Sequence, residues 1–184
     1  MLSTYLAAFP WLAGVLLAAV VAIGLPAAWW LSRRPPLAWT LAAVAGTGAL
    51  LLTLLPSARE VEVGCAVEWD VRLTAPEPLA NVVLLVPFAL LVGVAVGRRI
   101  AGPVAGLFAG AVLAAAIETA QALLPAIGRS CSTGDWLANA IGAAIGALLA
   151  AVAVRLPRRT RRSVERGSLD RGRAERGSAD PDGP

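Results

Sequence analysis

Residues 79–124 read LANVVLLVPFALLVGVAVGRRIAGPVAGLFAGAVLAAAIETAQALL, which is two apolar runs interrupted by two arginines. The runs cover 79–97 and 100–124, and Arg98-Arg99 alone separates them. Because a hydrocarbon core of about 30 Å needs about 20 apolar residues of helix, each run is long enough to cross a membrane. Two residues are too few for a folded loop. The stretch therefore predicts a tight hairpin of two transmembrane helices.

Three further apolar runs, at 6–31, 37–55 and 136–156, extend this pattern along the chain. The composition agrees, since 58% of the residues are hydrophobic, 15% are charged and the mean hydropathy is +0.71, outside the range of soluble domains. The first run lacks a basic start, so we expect it to remain as a helix and not to act as a signal peptide. The predicted fold class is all-α, a polytopic membrane bundle of about five helices over 1–156, with aqueous loops at 56–78 and 125–135.

All 16 basic residues are arginines, and their positions predict an orientation. With five crossings, the arginine pairs at 33–34 and 98–99 and the arginines of 155–162 lie on one side, as expected of cytoplasmic segments. The N-terminus is then outside and the C-terminus cytoplasmic. Residues 157–184 have almost no apolar side chains, which predicts a disordered cytoplasmic tail whose first arginines contact anionic headgroups. The arginines flank apolar runs without aromatic interleaving, so we expect no nucleic-acid partner.

Cysteine and histidine content restricts the possible chemistry. Cys65 and Cys131 fall in the two predicted outer loops, on a side where disulfides persist, so we expect them to pair; the alternative is two unrelated thiols. The chain has no histidine. Two cysteines alone are too few for a zinc site, and a histidine-activated nucleophile is excluded. We expect no metal and no cofactor, and any chemistry must use carboxylates, arginine, amides and hydroxyls.

A few polar residues interrupt the apolar runs. Glu118 and Gln121 are three residues apart, and Asp135 and Asn139 are four apart, so each pair shares a helix face. A rise of 1.5 Å per residue places them all, with Asn81, near the outer ends of the third, fourth and fifth helices. The predicted ligand-binding cluster is Asn81, Glu118, Gln121, Arg129, Asp135 and Asn139.

This cluster has a structural alternative. Glu118 and Gln121 would then hold the bundle together, while Ser132, Thr133 or Asp135 would cap the fifth helix. Below the polar pair of that helix, the same face continues with Gly142 and Gly146. Small residues four apart allow close helix contact, so we expect these glycines to form a packing seam.

These polar and glycine positions resemble the VanZ-like membrane proteins across 56–156. The resemblance rests on Asn81 followed by Val86-Pro87-Phe88, Glu118-x-x-Gln121, Arg129, Asp135-x-x-x-Asn139 and Gly142-x-x-x-Gly146. The chain departs from the family pattern at Ser132 and Gly134, where family members commonly carry acids. A metal- or cation-binding role of those acids therefore does not carry over.

The resemblance implies a bacterial cell envelope, because the family takes its name from a protein that raises resistance to the glycopeptide teicoplanin. The leading hypothesis is a membrane protein that acts at the outer face and alters access of glycopeptides to their target. The expected partners are membrane lipids and either a lipid-linked envelope precursor or a glycopeptide.

Two other hypotheses remain open. The first is an enzyme acting on a lipid or envelope precursor, with Glu118 or Asp135 as general acid or base and Arg129 holding a phosphate. The second is a structural or transport subunit. Transport ranks last, because transporters usually contain internal repeats, none is evident in the sequence, and five crossings do not divide evenly.

Overall fold

The computed structural model describes residues 11–56, 65–68, 75–128 and 131–156. Within these ranges the chain forms five long helices, each apolar and long enough to cross a membrane. They are α1 (Trp11–Leu31), α2 (Pro35–Leu54), α3 (Pro76–Val96), α4 (Ala101–Leu123) and α5 (Thr133–Arg155). The predicted all-α, multi-pass membrane bundle is thereby confirmed. The predicted tail at 157–184 lies outside the described residues.

Helices α3 and α5 begin three residues before the apolar runs that predicted them. The first residue of α3 is Pro76, and proline suits the start of a helix because its missing N–H would be unpaired there in any case. The start of α5 is capped by Ser132, whose hydroxyl accepts a hydrogen bond from the N–H of Gly134 at 3.1 Å. Asp135 consequently lies inside the first turn of α5. Apolar runs alone miss such polar first turns.

Helix α3 is the centre of the bundle and contacts the other four helices. On the α4 side, a Cβ added at Gly106 would clash with the carbonyl oxygen of Ala89, so the two backbones touch there. On the α2 side, the ring of Phe88 fills the space above Gly46, at 3.0 Å from the position of an added Cβ. The core is therefore built by small residues that let neighbouring helices approach α3 closely.

The predicted seam on α5 faces α3. A Cβ at Gly142 would collide with the carbonyl oxygen of Val82, and one at Gly146 would collide with that of Val86. Both contacts advance in the same direction along the two helices, so α3 and α5 run parallel. Backbone contact of this kind is the arrangement that a small-xxx-small pattern predicts.

The two longer connections meet at one end of the bundle. The two-residue strands β1 (Cys65–Ala66) and β2 (Cys131–Ser132) pair in parallel, with Cys65 opposite Cys131. These cysteines form a disulfide with a Cα–Cα distance of 4.5 Å, as predicted. We call this end the disulfide end, and the opposite end, where α1 joins α2, α3 joins α4 and α5 stops, the arginine end.

The order of elements is repeated in the chain, a feature not identified from the sequence. The segments α2–β1–α3 and α4–β2–α5 each run from the arginine end to the disulfide end and back. Each segment has Arg-Arg before its first helix, at 33–34 and at 98–99. Leu-Leu-Pro follows at the end of that helix, at 54–56 and at 123–125, and the strand contains a cysteine, at 65 and at 131. Helix α1 lies outside this repetition.

Charged residues in the described ranges separate completely between the two ends. Five arginines, at 33, 34, 98, 99 and 155, lie at the arginine end, and the acids with described side chains, at 68, 118 and 135, lie towards the disulfide end. Short cytoplasmic segments are typically basic. The predicted orientation, with the arginine end in the cytoplasm, remains a prediction that this separation favours.

Candidate functional site

Glu118 lies in the last turns of α4 and is buried, with 7% of its surface exposed. Its Oε2 atom accepts a hydrogen bond from the backbone N–H of Ser132 at 3.0 Å. Ser132 in turn caps α5, so the carboxylate is attached to the start of the next helix. A buried carboxylate needs such donors, because burying an unpaired charge is costly.

Asn81 and Asp135 connect α3 to α5. The Nδ2 of Asn81 donates a hydrogen bond to Oδ1 of Asp135 at 2.8 Å, and both residues are half-buried. Asp135 is three residues after Ser132, the partner of Glu118, so both carboxylates lie around the first turn of α5. The structure thus brings three of the predicted residues together at the disulfide end.

Gln121 points to a different partner. It is buried, and its Nε2 donates a hydrogen bond to the carbonyl oxygen of Thr53 at 3.2 Å. Thr53 is in the last turn of α2, where carbonyl groups lack partners within the helix. Gln121 therefore satisfies the end of α2, although it shares a helix face with Glu118.

Asn139 lies one turn below Asp135 on α5 and is 1% exposed. Its Oδ1 is buried and has no hydrogen-bond partner within the described residues. An amide oxygen left in this state costs free energy. The residue occupies the α3–α5 interface, because its helix face continues with Gly142, which contacts α3.

The last member of the predicted cluster, Arg129, falls outside the described residues. Among the described residues, no group of three or more cysteine, histidine or acidic side chains is arranged to hold a metal ion. The ionisable groups of the described cluster are the carboxyls of Glu118 and Asp135.

Two further residues at this end make contacts that were not predicted from the sequence, where Thr53 was not singled out and Thr133 was considered only as a helix cap. Thr53 supplies the carbonyl for Gln121, and its own hydroxyl donates to the carbonyl of Ala49 at 2.7 Å. Thr133 joins the two connections, since its hydroxyl accepts from the N–H of Glu68 at 2.7 Å and donates to the carbonyl of the same residue at 2.8 Å. Thr53 is a single hydroxyl within an apolar run and Thr133 directly follows Ser132, so neither position indicates its partner in the sequence.

Chemically, the site combines two carboxylates held in place by donors from the protein. Such groups can accept hydrogen bonds from a ligand or take and return a proton. The same hydrogen bonds also hold the ends of three helices together, because Glu118 bonds the start of α5 and Gln121 the end of α2. Binding and structural roles are therefore combined in the same residues.

Comparisons with known proteins place the chain in one family. The family model described as VanZ/LLP1 matches residues 10–154. Searches of curated proteins and of solved structures found no match. The family match begins before α1 and ends one residue short of the end of α5, so it includes the whole bundle and the polar cluster. Because it covers most of the sequence, the chain belongs to the VanZ/LLP1 family.

Proposed function

We propose that this protein binds the headgroup of an envelope lipid or lipid-linked precursor at the disulfide end, and thereby changes susceptibility to teicoplanin-type glycopeptides. The main support is the position of Glu118, a buried carboxylate inside a membrane-spanning helix. Ionisable residues in such segments are expensive and usually serve function. Arg129, in the connection between α4 and α5, is proposed to supply the positive charge for a phosphate.

The proposal also agrees with the separation of charge. On the predicted orientation the disulfide end faces outwards, which is the side from which glycopeptides reach their target. The hydrogen bond from Asn81 to Asp135 holds the second carboxylate beside the first turn of α5. A headgroup lying at this depth would meet Asp135 before the more deeply buried Glu118.

Glu118→Gln tests this function. The glutamine retains an oxygen that accepts the Ser132 N–H, so the hydrogen bond at 3.0 Å is kept while the charge is removed. In a teicoplanin-susceptible bacterium, we expect the wild-type chain to raise the inhibitory concentration of teicoplanin and Glu118→Gln to abolish that increase. The measurement is the inhibitory concentration at matched protein levels in the membrane.

Thr119→Val is the matched control, because Thr119 is the next residue of α4 and, within the described ranges, its exposed hydroxyl bonds only the carbonyl of Ala115 in the same helix. It should behave as wild type. Lipid-resolved mass spectrometry should find one envelope lipid with the wild type and lose it with Glu118→Gln; a chemically altered lipid would instead indicate an enzyme. Normal stability together with unchanged resistance and lipid content in Glu118→Gln would reject the proposal, and a fall in stability alone would assign Glu118 a structural role.

A further inference from the structure

The turn between α1 and α2, at the arginine end, is tightly ordered by its backbone. The N–H of Ser32 donates to the carbonyl of Ala28 at 2.8 Å, and the N–H of Arg34 donates to that of Leu31 at 2.8 Å. The Ser32 hydroxyl also donates to the carbonyl of Trp29 at 2.7 Å. These hydrogen bonds fix the backbone of the turn, and with it the positions of the Arg33 and Arg34 Cα atoms.

Both arginines of the turn stack on tryptophans of α1. The Arg33 guanidinium carbon is 4.1 Å from the centroid of the Trp29 ring, and that of Arg34 is 3.9 Å from the centroid of the Trp30 ring. Each pair is four residues apart, the spacing of neighbours on a helix surface. Distances this short are typical of cation–π contacts. Stacking uses the face of the guanidinium and leaves its N–H edges free to donate.

Those N–H groups have no carboxylate partner among the described residues. The acids with described side chains, at 68, 118 and 135, lie towards the disulfide end, about 30 Å away along helices of some 20 residues. Arg33 and Arg34 are exposed, as is Trp30 at 43%. Two adjacent guanidinium groups are thus stacked on rings at an exposed turn, without a carboxylate partner in the part of the chain that the structure describes.

Tryptophan side chains concentrate at the depth of lipid headgroups, and arginine binds phosphate oxygens through two parallel N–H donors. We propose that the Arg33-Arg34 turn, stacked on Trp29 and Trp30, is a binding site for the phosphate of an anionic phospholipid in the adjacent leaflet. The rings fix the guanidinium groups before the lipid arrives, which lowers the entropy lost on binding. This site is independent of the proposed function at the opposite end.

A membrane lipid fits this site better than a dissolved anion, because the rings that hold the arginines belong to a membrane-spanning helix. A second arginine pair, Arg98-Arg99, provides a matched comparison at the same end of the bundle. Within the described ranges it stacks on no aromatic ring, although it is also exposed and precedes a helix. Replacing either arginine pair removes the same charge, but only the replacement of Arg33 and Arg34 removes arginines that stack on tryptophan rings.

The experiment uses the full chain in nanodiscs containing phosphatidylcholine and phosphatidylglycerol, with native mass spectrometry to measure the phosphatidylglycerol retained per protein. We expect R33Q/R34Q to reduce retention more than R98Q/R99Q. W29L/W30L keeps every charge and should reduce retention about fivefold, the lower end of the loss expected when two arginine side chains must be ordered on binding at about 0.5–1.5 kcal/mol each. R33K/R34K, which keeps the charge but loses the planar stacked group, should fall between wild type and R33Q/R34Q.

Disulfide formation and thermal unfolding in detergent verify that each variant is folded. If W29L/W30L does not fold, R33K/R34K carries the comparison, because it changes no apolar residue. Equal losses from the two arginine pairs, with no loss from W29L/W30L or R33K/R34K, would show that net charge alone attracts the lipid and would overturn the site. Displacement of phosphatidylglycerol by millimolar inorganic phosphate would overturn the assignment to a membrane lipid.

Discussion

At the scale of single residues, two polar side chains of α4 satisfy backbone groups at the ends of neighbouring helices. Glu118 accepts the N–H of Ser132, and Gln121 donates to the carbonyl of Thr53. Water is scarce inside a bilayer, so an unpaired backbone group there is costly. Asn81 and Asp135 bond each other instead, and the Oδ1 of Asn139 has no hydrogen-bond partner among the described residues.

This view predicts the effect of Gln121→Leu. Leucine has a similar volume but cannot donate, so the buried carbonyl of Thr53 would lose its partner. We expect the free energy of unfolding to fall by about 1–3 kcal/mol, the cost of an unsatisfied buried polar group. Thermal unfolding in detergent measures it, with Thr119→Val as the control that should remain near wild type. A stability of Gln121→Leu equal to wild type would contradict this role.

At the scale of elements, the packing of α5 on α3 depends on glycines at backbone contacts. Gly142 and Gly146 face the carbonyl oxygens of Val82 and Val86. Without a hydrophobic driving force between helices in lipid, such close packing is a main source of association. The disulfide and the β1–β2 pair link the two connections at the end of the bundle where α5 begins.

Gly142→Ala should therefore separate α5 from α3. The added methyl group would collide with the Val82 carbonyl, a backbone atom that cannot rotate away. Overpacking of this kind typically costs about 1–3 kcal/mol, so the midpoint of thermal unfolding should decrease.

Gly48→Ala is the matched control on α2, because a Cβ there meets no atom within 4 Å. It should be neutral or stabilising by about 0.5–1 kcal/mol, since alanine favours helix over glycine. Equal midpoints for the two alanine variants would show that the seam is not tightly packed.

At the scale of the whole molecule, the separation of the described charges and the repeated order of elements both follow the two ends of the bundle. Each repeated segment starts from an arginine pair and reaches a cysteine at the opposite end. Repeats of this kind occur in transporters. No repeat was evident from the sequence alone, which counted against transport, and the repeated order of elements removes that argument. The described polar contacts Asn81–Asp135 and Gln121–Thr53 each join one segment to the other.

The charge separation predicts the topology of the chain in the membrane. A cytoplasmic reporter fused after Leu156 should be active, and the same reporter fused after Pro56, at the disulfide end, should be inactive. A reporter that works only outside the cytoplasm should give the reverse result. The physical reason is retention of arginine-rich ends in the cytoplasm. Activity of the external reporter after Leu156 would overturn the orientation.

The cysteine pairing was predicted because the chain has two cysteines and both fall in predicted outer loops. The sequence by itself determined the class, the five spans and the glycine face of α5. These are local properties: length and hydropathy decide whether a segment crosses a membrane, and a spacing of four places residues on one helix face. The pattern of polar residues along α4 and α5 also identified the helix ends that carry buried polar side chains. It could not assign the hydrogen-bond partners of those side chains.

Only the tertiary structure decided those partners. Gln121 and Thr53 are 68 residues apart, and which carbonyl the amide meets depends on how α2 and α4 pack around α3. The parallel pairing of β1 with β2 likewise requires both connections to arrive at the same place. Hydropathy contains no such information, because it reports a preference for lipid over water and not which helices are neighbours in the bundle.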